Sequence, residues 1–203
     1  MSSTPQSAAK RALRDPMLAL RAGLPPAFRA EASREVAARL ATLPAWERAG
    51  TVALHATLGA EVSTDEIARR AAAAGKRIAW PRLAAGGRAM EFAACGLGEL
   101  VPGPSRALEP PASAPVVPVD AVDLVVVPGV AFDARGGRLG RGRGHYDATL
   151  PLLRPGAARI GIAFEVQVVP EVPGEAHDVA LDAVVTEKRV LGPMAARSGG
   201  APG

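Results

Sequence analysis

The sequence predicts an α/β protein: a single-domain, three-layer α/β/α arrangement around a largely parallel central sheet. Three observations predict it. Helical stretches alternate with short apolar strands along most of the 203 residues. One of those strands, Asp123-Leu-Val-Val-Val-Pro128, carries four consecutive apolar residues, as expected where a parallel sheet buries both its faces. No repeat or change of composition marks a second domain, so residues 1–191 read as one unit and residues 192–203 as a disordered tail.

Taken in order, residues 6–22 form the first expected helix, because Leu13, Met17 and Leu20 recur at spacings of four and three and share one face. Lys10, Arg14 and Arg21 fall on a stripe beside that face. Gly23, Pro25 and Pro26 end it, and a second helix follows over residues 27–43, with Phe28, Val36 and Leu40 inward and Pro44 closing it. Thr51-Val-Ala-Leu-His-Ala56 has the length and character of a strand. Ser63-Thr-Asp-Glu66 offers an N-cap and a capping box for a helix through Ala74, which Gly75 stops. Residues 77–81 and 89–95 are further strands, and the proline-rich residues 98–120 an extended surface connection. Beyond the Asp123–Pro128 strand, residues 145–153 look helical, and residues 159–164 and 183–186 complete the sheet.

Composition narrows the function classes. With 22 glycines, 19 prolines and only seven aromatic residues (two Trp, one Tyr, four Phe), the core must be built from alanine, valine and leucine. The apolar fraction of 48% excludes a disordered composition. Collagen is excluded by the lack of a Gly-X-Y period, and a membrane span by the lack of an 18-residue uncharged apolar run. The lone Cys95 excludes a disulfide framework and a multi-cysteine zinc site. Met1 to Gln6 is polar, so no signal peptide is expected and a reducing cytoplasm is the expected compartment. The net charge of +4 rests on 21 arginines and only three lysines, the usage that a G- and C-rich coding sequence gives. Such an excess says less than where the arginines sit.

Nine glycines and arginines are concentrated between Arg135 and Gly144, directly after the most apolar strand. In a parallel sheet this is the carboxyl end of a strand, where ligands bind. Glycines 136, 137, 140, 142 and 144 permit close backbone approach, arginines 135, 138, 141 and 143 add charge, and the next helix would aim its N-terminus at the loop. These are the parts of a phosphate cradle. The loop has neither GxxxxGK[ST] nor GxGxxG spacing, so by itself it reads equally as a flexible surface loop or as an Arg-Gly segment that touches RNA.

Phe132-Asp133, Gly137-Arg-Leu-Gly-Arg-Gly-Arg-Gly144 and Tyr146-Asp147 together resemble the signature of the 5-formyltetrahydrofolate cyclo-ligase (methenyltetrahydrofolate synthetase) family. Lys10-Arg-Ala-Leu-Arg14 is similar to that family's opening helix, Glu61-Val-Ser-Thr64 to its acidic motif, and Asp178-Val-Ala-Leu-Asp182-Ala-Val-Val to its closing segment. The four motifs stand in family order from residue 10 to about residue 186.

The resemblance implies ATP- and Mg²⁺-dependent closure of 5-formyltetrahydrofolate to 5,10-methenyltetrahydrofolate through a phosphorylated formyl group. ATP is then a co-substrate and Mg²⁺ the cofactor. It implies nucleotide contacts from Lys10, Arg14, Arg138, Leu139, Gly140, Arg141, Gly142, Arg143, Gly144, His145 and Tyr146, with Arg141 and Tyr146 as the catalytic pair. Folate contacts fall to Glu61 and to Arg141, Gly142, Arg143, Gly144 and His145, and metal contacts to Asp147 and Asp178. Lys10 and Arg14 also share a helix face by their i, i+4 spacing alone. His145 stands where an aromatic residue is common in the family, and Ala148 where arginine is. His55 and His177 are expected in ordinary structural or surface roles, Cys95 to be inert, and Trp46 and Trp80 in the core, although Trp80-Pro81 at a strand end also suits the site. The expected partners are the two small substrates, with no nucleic acid or membrane, and the expected state is a monomer. A family paralogue that binds folate or nucleotide without this chemistry, or an RNA-binding module, stands as the alternative.

Overall fold

In the computed structural model, which describes residues 5–83, 87–104, 107–175 and 178–193, the Leu124–Val127 run lies at the middle of the sheet. His177 and residues 194–203 of the expected tail lie outside the described residues. The chain runs α1 (Pro5–Ala22), α2 (Pro26–Ala41), α3 (Pro44–Arg48), β1 (Thr51–Ala53), α4 (Asp65–Ala73), β2 (Arg77–Leu83) and β3 (Met90–Ala94). It continues through β4 (Val101–Pro102), β5 (Leu108–Glu109), β6 (Val116–Val117), β7 (Leu124–Val127), β8 (Ala131–Phe132) and β9 (Arg138–Leu139). It ends with α5 (His145–Thr149), β10 (Ala158–Ile162), β11 (Ala183–Val185) and β12 (Val190–Leu191).

Eight strands form one sheet in the order β12-β11-β10-β7-β1-β2-β3-β6. The five central strands β11, β10, β7, β1 and β2 are parallel, while β12 and β3 pair antiparallel on either side. The all-apolar β7 explains its own position. Leu124 and Val126 pack with α2, α3 and α4 on one face, and Val125 and Val127 with Phe132, Leu150 and Leu181 on the other. From β1 the chain moves outward to β2 on one side and later resumes with β7 on the other. The order of strands therefore reverses between β1 and β7, which opens a crevice at their carboxyl ends.

Local departures from the sequence pattern have physical causes. Pro44 starts α3 as its first helical residue, where its missing N–H costs nothing, rather than simply closing α2. The expected cap, Ser63, falls one residue short of the N-cap, which is Thr64, and the Thr64 hydroxyl donates to the carbonyl of His55 instead of capping the helix. Phe28 is 39% exposed, with its ring tilted against Phe164, so Val36 and Leu40 carry the inner face of α2. In α1 the apolar pattern misplaces one position: Leu20 is 48% exposed and Arg21 is buried. The helical layer on the second face is thin, because residues 145–153 form only the single turn of α5 and a 3₁₀ turn at Leu150–Leu152.

Trp80 is fully buried in β2 and donates its indole N–H to the carbonyl of Cys95 at 3.0 Å, so it belongs to the core and not to the site. Trp46 is likewise buried, with Lys76 above its ring. Replacing Trp80 by Phe removes the donor and leaves a void. Thermal unfolding is expected to show a loss of about 1–3 kcal/mol with turnover unchanged; a variant that unfolds like the parent would contradict this placement.

Candidate active site

The crevice between β1 and β7 is a cleft of about 490 Å³. Its walls come from α1 (Lys10, Arg14), the segment after β1 (Glu61), the glycine-rich loop (residues 138–144), α5 (His145, Tyr146, Asp147) and the strand-free stretch before β11 (Glu175, Asp178). Every residue to which the resemblance gives a contact therefore lines one concavity, to which five parts of the chain converge, while Arg135 of the loop lies outside it and pairs with Glu171.

The loop is more ordered than its composition suggests. Residues 131–139 fold into the antiparallel hairpin β8–β9, in which Ala131 pairs with Leu139 and Phe132 with Arg138. Leu139 turns inward against Met17 and Val130 of the small core beneath α1. Asp133 closes the hairpin from within: it is buried and accepts the N–H groups of Arg135, Gly137 and Val172, each at 2.9 Å. Gly136 has φ +88° and lies so near the Leu181 carbonyl that a Cβ would sit 2.2 Å from it. Gly142 and Gly144 also adopt positive φ, which lets the chain turn tightly around the cleft mouth. The helix after the loop is too short to act as an anion-binding terminus, so backbone amides and arginines are what the loop presents.

Lys10, Arg138 and Arg141 each face a carboxylate across the cleft wall. Lys10 lies 2.7 Å from both Glu175 and Asp178. Burial acts to lower its pKa, but the hydrogen bonds to Asp178 and Glu175 outweigh it and raise the pKa, so Lys10 stays charged at neutral pH. Arg138 pairs with Asp147 and lies over the Tyr146 ring, and Arg14 donates to the Gly140 carbonyl at 3.0 Å. Burial pushes the Tyr146 hydroxyl far above its ordinary pKa, so it is a neutral group that can donate or accept a hydrogen bond. His145 donates Nδ1–H to the Arg88 carbonyl at 2.9 Å, which fixes the ring where the resemblance expects an aromatic residue. Arg143 is exposed on the rim.

Glu61 is the most enclosed of the cleft's ion-paired acids, at 9% side-chain exposure. Its Oε1 accepts from Arg141 (Nη2 at 2.9 Å, Nε at 3.2 Å) and its Oε2 from the backbone N–H of Leu58 at 3.0 Å. Arg21 Nη2 and His55 Nε2 each approach it at 3.9 Å. Burial lowers the pKa of His55 more than Glu61 raises it, so the imidazole is neutral at neutral pH. Sequence reasoning placed Arg21 on the right stripe but gave it no role, and it missed Glu175. The signal for Arg21 is positional, since 10, 14, 17 and 21 form a continuous helix face. Nothing local marks Glu175.

The residues present fit the implied metal only in a restricted sense. Among the described residues no group of three or more His, Cys, Asp or Glu side chains is arranged to hold a cation. Asp147 and Asp178 do share the cleft, and oxygen donors in that number suit Mg²⁺ that arrives with a triphosphate, because this ion keeps most of its ligands as water and phosphate. Cys95 is not among the residues that line the cleft; burial, then the nearby Glu99, raises its thiol pKa, in keeping with an inert residue.

Comparison with known proteins gives one answer. The model of the 5-formyltetrahydrofolate cyclo-ligase family matches residues 6–187. The 5-formyltetrahydrofolate cyclo-ligase of Escherichia coli K12 is 33% identical over 174 residues, covering 84% of this chain and 96% of the relative. That of Mycolicibacterium smegmatis is 40% identical over 80 residues, covering 39% of this chain and 41% of the relative. Among solved structures, the 5,10-methenyltetrahydrofolate synthetase of Aquifex aeolicus superposes with a TM-score of 0.80 at 30% identity, covering 96% of both chains. The synthetase from Mycoplasma pneumoniae, at 23% identity and a TM-score of 0.72 over 88% of this chain and 98% of its own, shares the fold.

Proposed function

Because the chain belongs to the 5-formyltetrahydrofolate cyclo-ligase family, we propose that it converts 5-formyltetrahydrofolate to 5,10-methenyltetrahydrofolate at the expense of ATP, in the β1–β7 cleft. The observation that carries this is the meeting, at the point where strand order reverses, of an enclosed carboxylate from one strand end with an arginine- and amide-rich loop from the next. A carboxylate pairs with the amino and ring N–H donors of a pterin, and the loop with the phosphates of a nucleotide. Their placement inside a cleft, with Lys10, Arg138 and Arg141 each facing an acid, argues against a surface that tracks RNA.

The proposed reaction has two stages. The formyl oxygen attacks the γ-phosphorus of ATP and the bond to ADP breaks. The neighbouring folate amine then attacks the activated carbon, loses its proton, and the C–O bond to phosphate breaks. Such chemistry asks the protein for alignment and charge neutralisation. Lys10, Arg14 and Arg138 would hold the polyphosphate, and Arg141 would neutralise the phosphoryl group in transfer. Tyr146, a neutral hydroxyl against Arg138, would position the reacting oxygens, and Glu61 would fix the pterin. Asp147 and Asp178 would hold the Mg²⁺ that, when bound, offsets charge on the phosphates. Leu139 acts through packing, while Gly140, Gly142, Arg143, Gly144 and His145 would shape the mouth over both substrates.

Purified protein is expected to form the methenyl product, followed by its near-ultraviolet absorbance, only when ATP and Mg²⁺ are both present, and chelation should stop it. Folded protein that binds Mg-ATP and yields no product would sink the proposal.

A further inference from the structure

We infer that Arg21 is a positioning residue for the folate subsite: a fixed, buried counter-charge that holds Glu61 in place while Arg141 leaves it. The inference rests on the reading of Glu61 as the pterin acceptor. It starts from an asymmetry between the two arginines that approach Glu61 Oε1. Arg141 contacts it directly, yet its side chain is 44% exposed and it rides on a glycine-flanked loop. Arg21 stands 3.9 Å away, its side chain is only 4% exposed, and its Nη1 donates to the Gly129 carbonyl at 3.0 Å.

Arg141 has two tasks that exclude each other. It satisfies Glu61 and the Leu58 carbonyl in this structure, and in the proposed reaction it reaches the phosphoryl group. When it leaves, a carboxylate enclosed to nine-tenths loses its direct ion pair. An enclosed charge without a counter-ion is strongly unfavourable, and Glu61 would be drawn out of position. The other neighbours do not prevent this. His55, on the Oε2 side, is neutral at neutral pH, and the Leu58 N–H supplies one hydrogen bond without charge. Arg21 remains, because α1 and the Gly129 carbonyl fix it and a guanidinium does not deprotonate at any physiological pH.

A second observation is independent of the distances. Among the described residues, the buried side-chain atoms that lack a hydrogen-bond partner include Arg21 Nε and His55 Nε2, on two sides of the same carboxylate. Buried polar groups are mostly hydrogen-bonded, and two unpartnered ones facing the same carboxylate call for an explanation. Polar capacity stored around Glu61 fits a group that exchanges partners during a reaction cycle better than it fits a static ion pair.

The test separates charge from scaffold. Arg21→Gln keeps a donor for the Gly129 carbonyl and removes the charge; Arg21→Lys keeps the charge. Steady-state kinetics should show the KM for 5-formyltetrahydrofolate rising at least tenfold in Arg21→Gln, with the KM for ATP and kcat within about twofold, and most of the loss recovered in Arg21→Lys. Equilibrium binding of 5-formyltetrahydrofolate should weaken in parallel when a non-hydrolysable ATP analogue is bound, and less without nucleotide, where Arg141 still pairs with Glu61. If Arg21→Gln leaves folate affinity unchanged, or lowers kcat and both affinities together with a lowered melting temperature that Lys does not restore, Arg21 is a structural arginine and the inference is overturned. A parent protein that turns over while Glu61→Gln binds folate normally would instead overturn the reading of Glu61 on which the inference rests.

Discussion

Arg141→Ala is expected to lower kcat/KM for the cyclisation by roughly a hundredfold to a thousandfold, the usual cost of removing a preorganised group aimed at charge that develops in the transition state. The loss should fall mainly on kcat, because Lys10, Arg14 and Arg138 remain to hold the nucleotide. Instability is not the expected cause. Arg141 is half-exposed, and ion pairs of that kind contribute about 1 kcal/mol or less. Arg141→Lys should recover only part of the rate, since an ammonium keeps the charge and loses the planar fork. The measurement is initial rate against each substrate, with the melting temperature recorded alongside. A kcat/KM within fivefold of the parent would remove Arg141 from the catalytic machinery and pass the neutralising role to Arg138 or Arg143.

The parts of this site that were legible in the sequence were the local ones. A run of four apolar residues places β7 at the sheet centre, and a glycine-rich loop directly after it must lie at the carboxyl end of that strand. Lys10 and Arg14 share a face by helical arithmetic, and both line the cleft. What was not legible depends on contacts distant in sequence. The hairpin β8–β9 consists of two-residue strands, too short to show any period. Leu20 and Arg21 exchange their expected places because the Gly129 carbonyl and Glu61 await the arginine, and no pattern within α1 can register a partner 108 residues away. Ser63 reads as the helix cap, but the N-cap falls to Thr64, whose hydroxyl is taken by the His55 carbonyl. Glu175 joins Lys10 across a separation of 165 residues. In each case tertiary hydrogen bonding overrides a local preference by supplying a buried partner.

Asp133→Ala is expected to be the most destabilising single change in the loop, at about 3–5 kcal/mol, and to abolish turnover without touching a substrate contact. Asp133 enters the sequence only as half of the Phe132-Asp133 motif beside the arginines, with no role of its own. Its geometry gives it one as a scaffold. Both oxygens are consumed by backbone: Oδ1 by the N–H groups of Arg135 and Gly137, Oδ2 by that of Val172. Alanine would leave the buried Val172 N–H unpaired, at about 1–3 kcal/mol, and would take the acceptor from the partly buried N–H groups of Arg135 and Gly137, with the packing of a buried side chain lost as well. Relaxation is limited, because Gly137 packs so close that a Cβ would lie 2.4 Å from Asp133 Oδ2, and Gly136 is held against Leu181 by the Leu181 N–H at 2.9 Å. For a chain of this length 1 kcal/mol moves the melting temperature by about 2–4 °C, so a fall of roughly 10 °C is expected. Asp133→Asn keeps one acceptor oxygen and should fall between the two. The distinguishing result is the behaviour below the lowered melting temperature: a scaffold residue predicts that activity in Asp133→Asn is recovered on cooling, whereas a catalytic carboxylate predicts a folded, stable and inactive protein. Thermal unfolding and rate measured on the same samples decide between them, because the anchor that orients Arg138 and Arg141 is the same one that holds the hairpin closed.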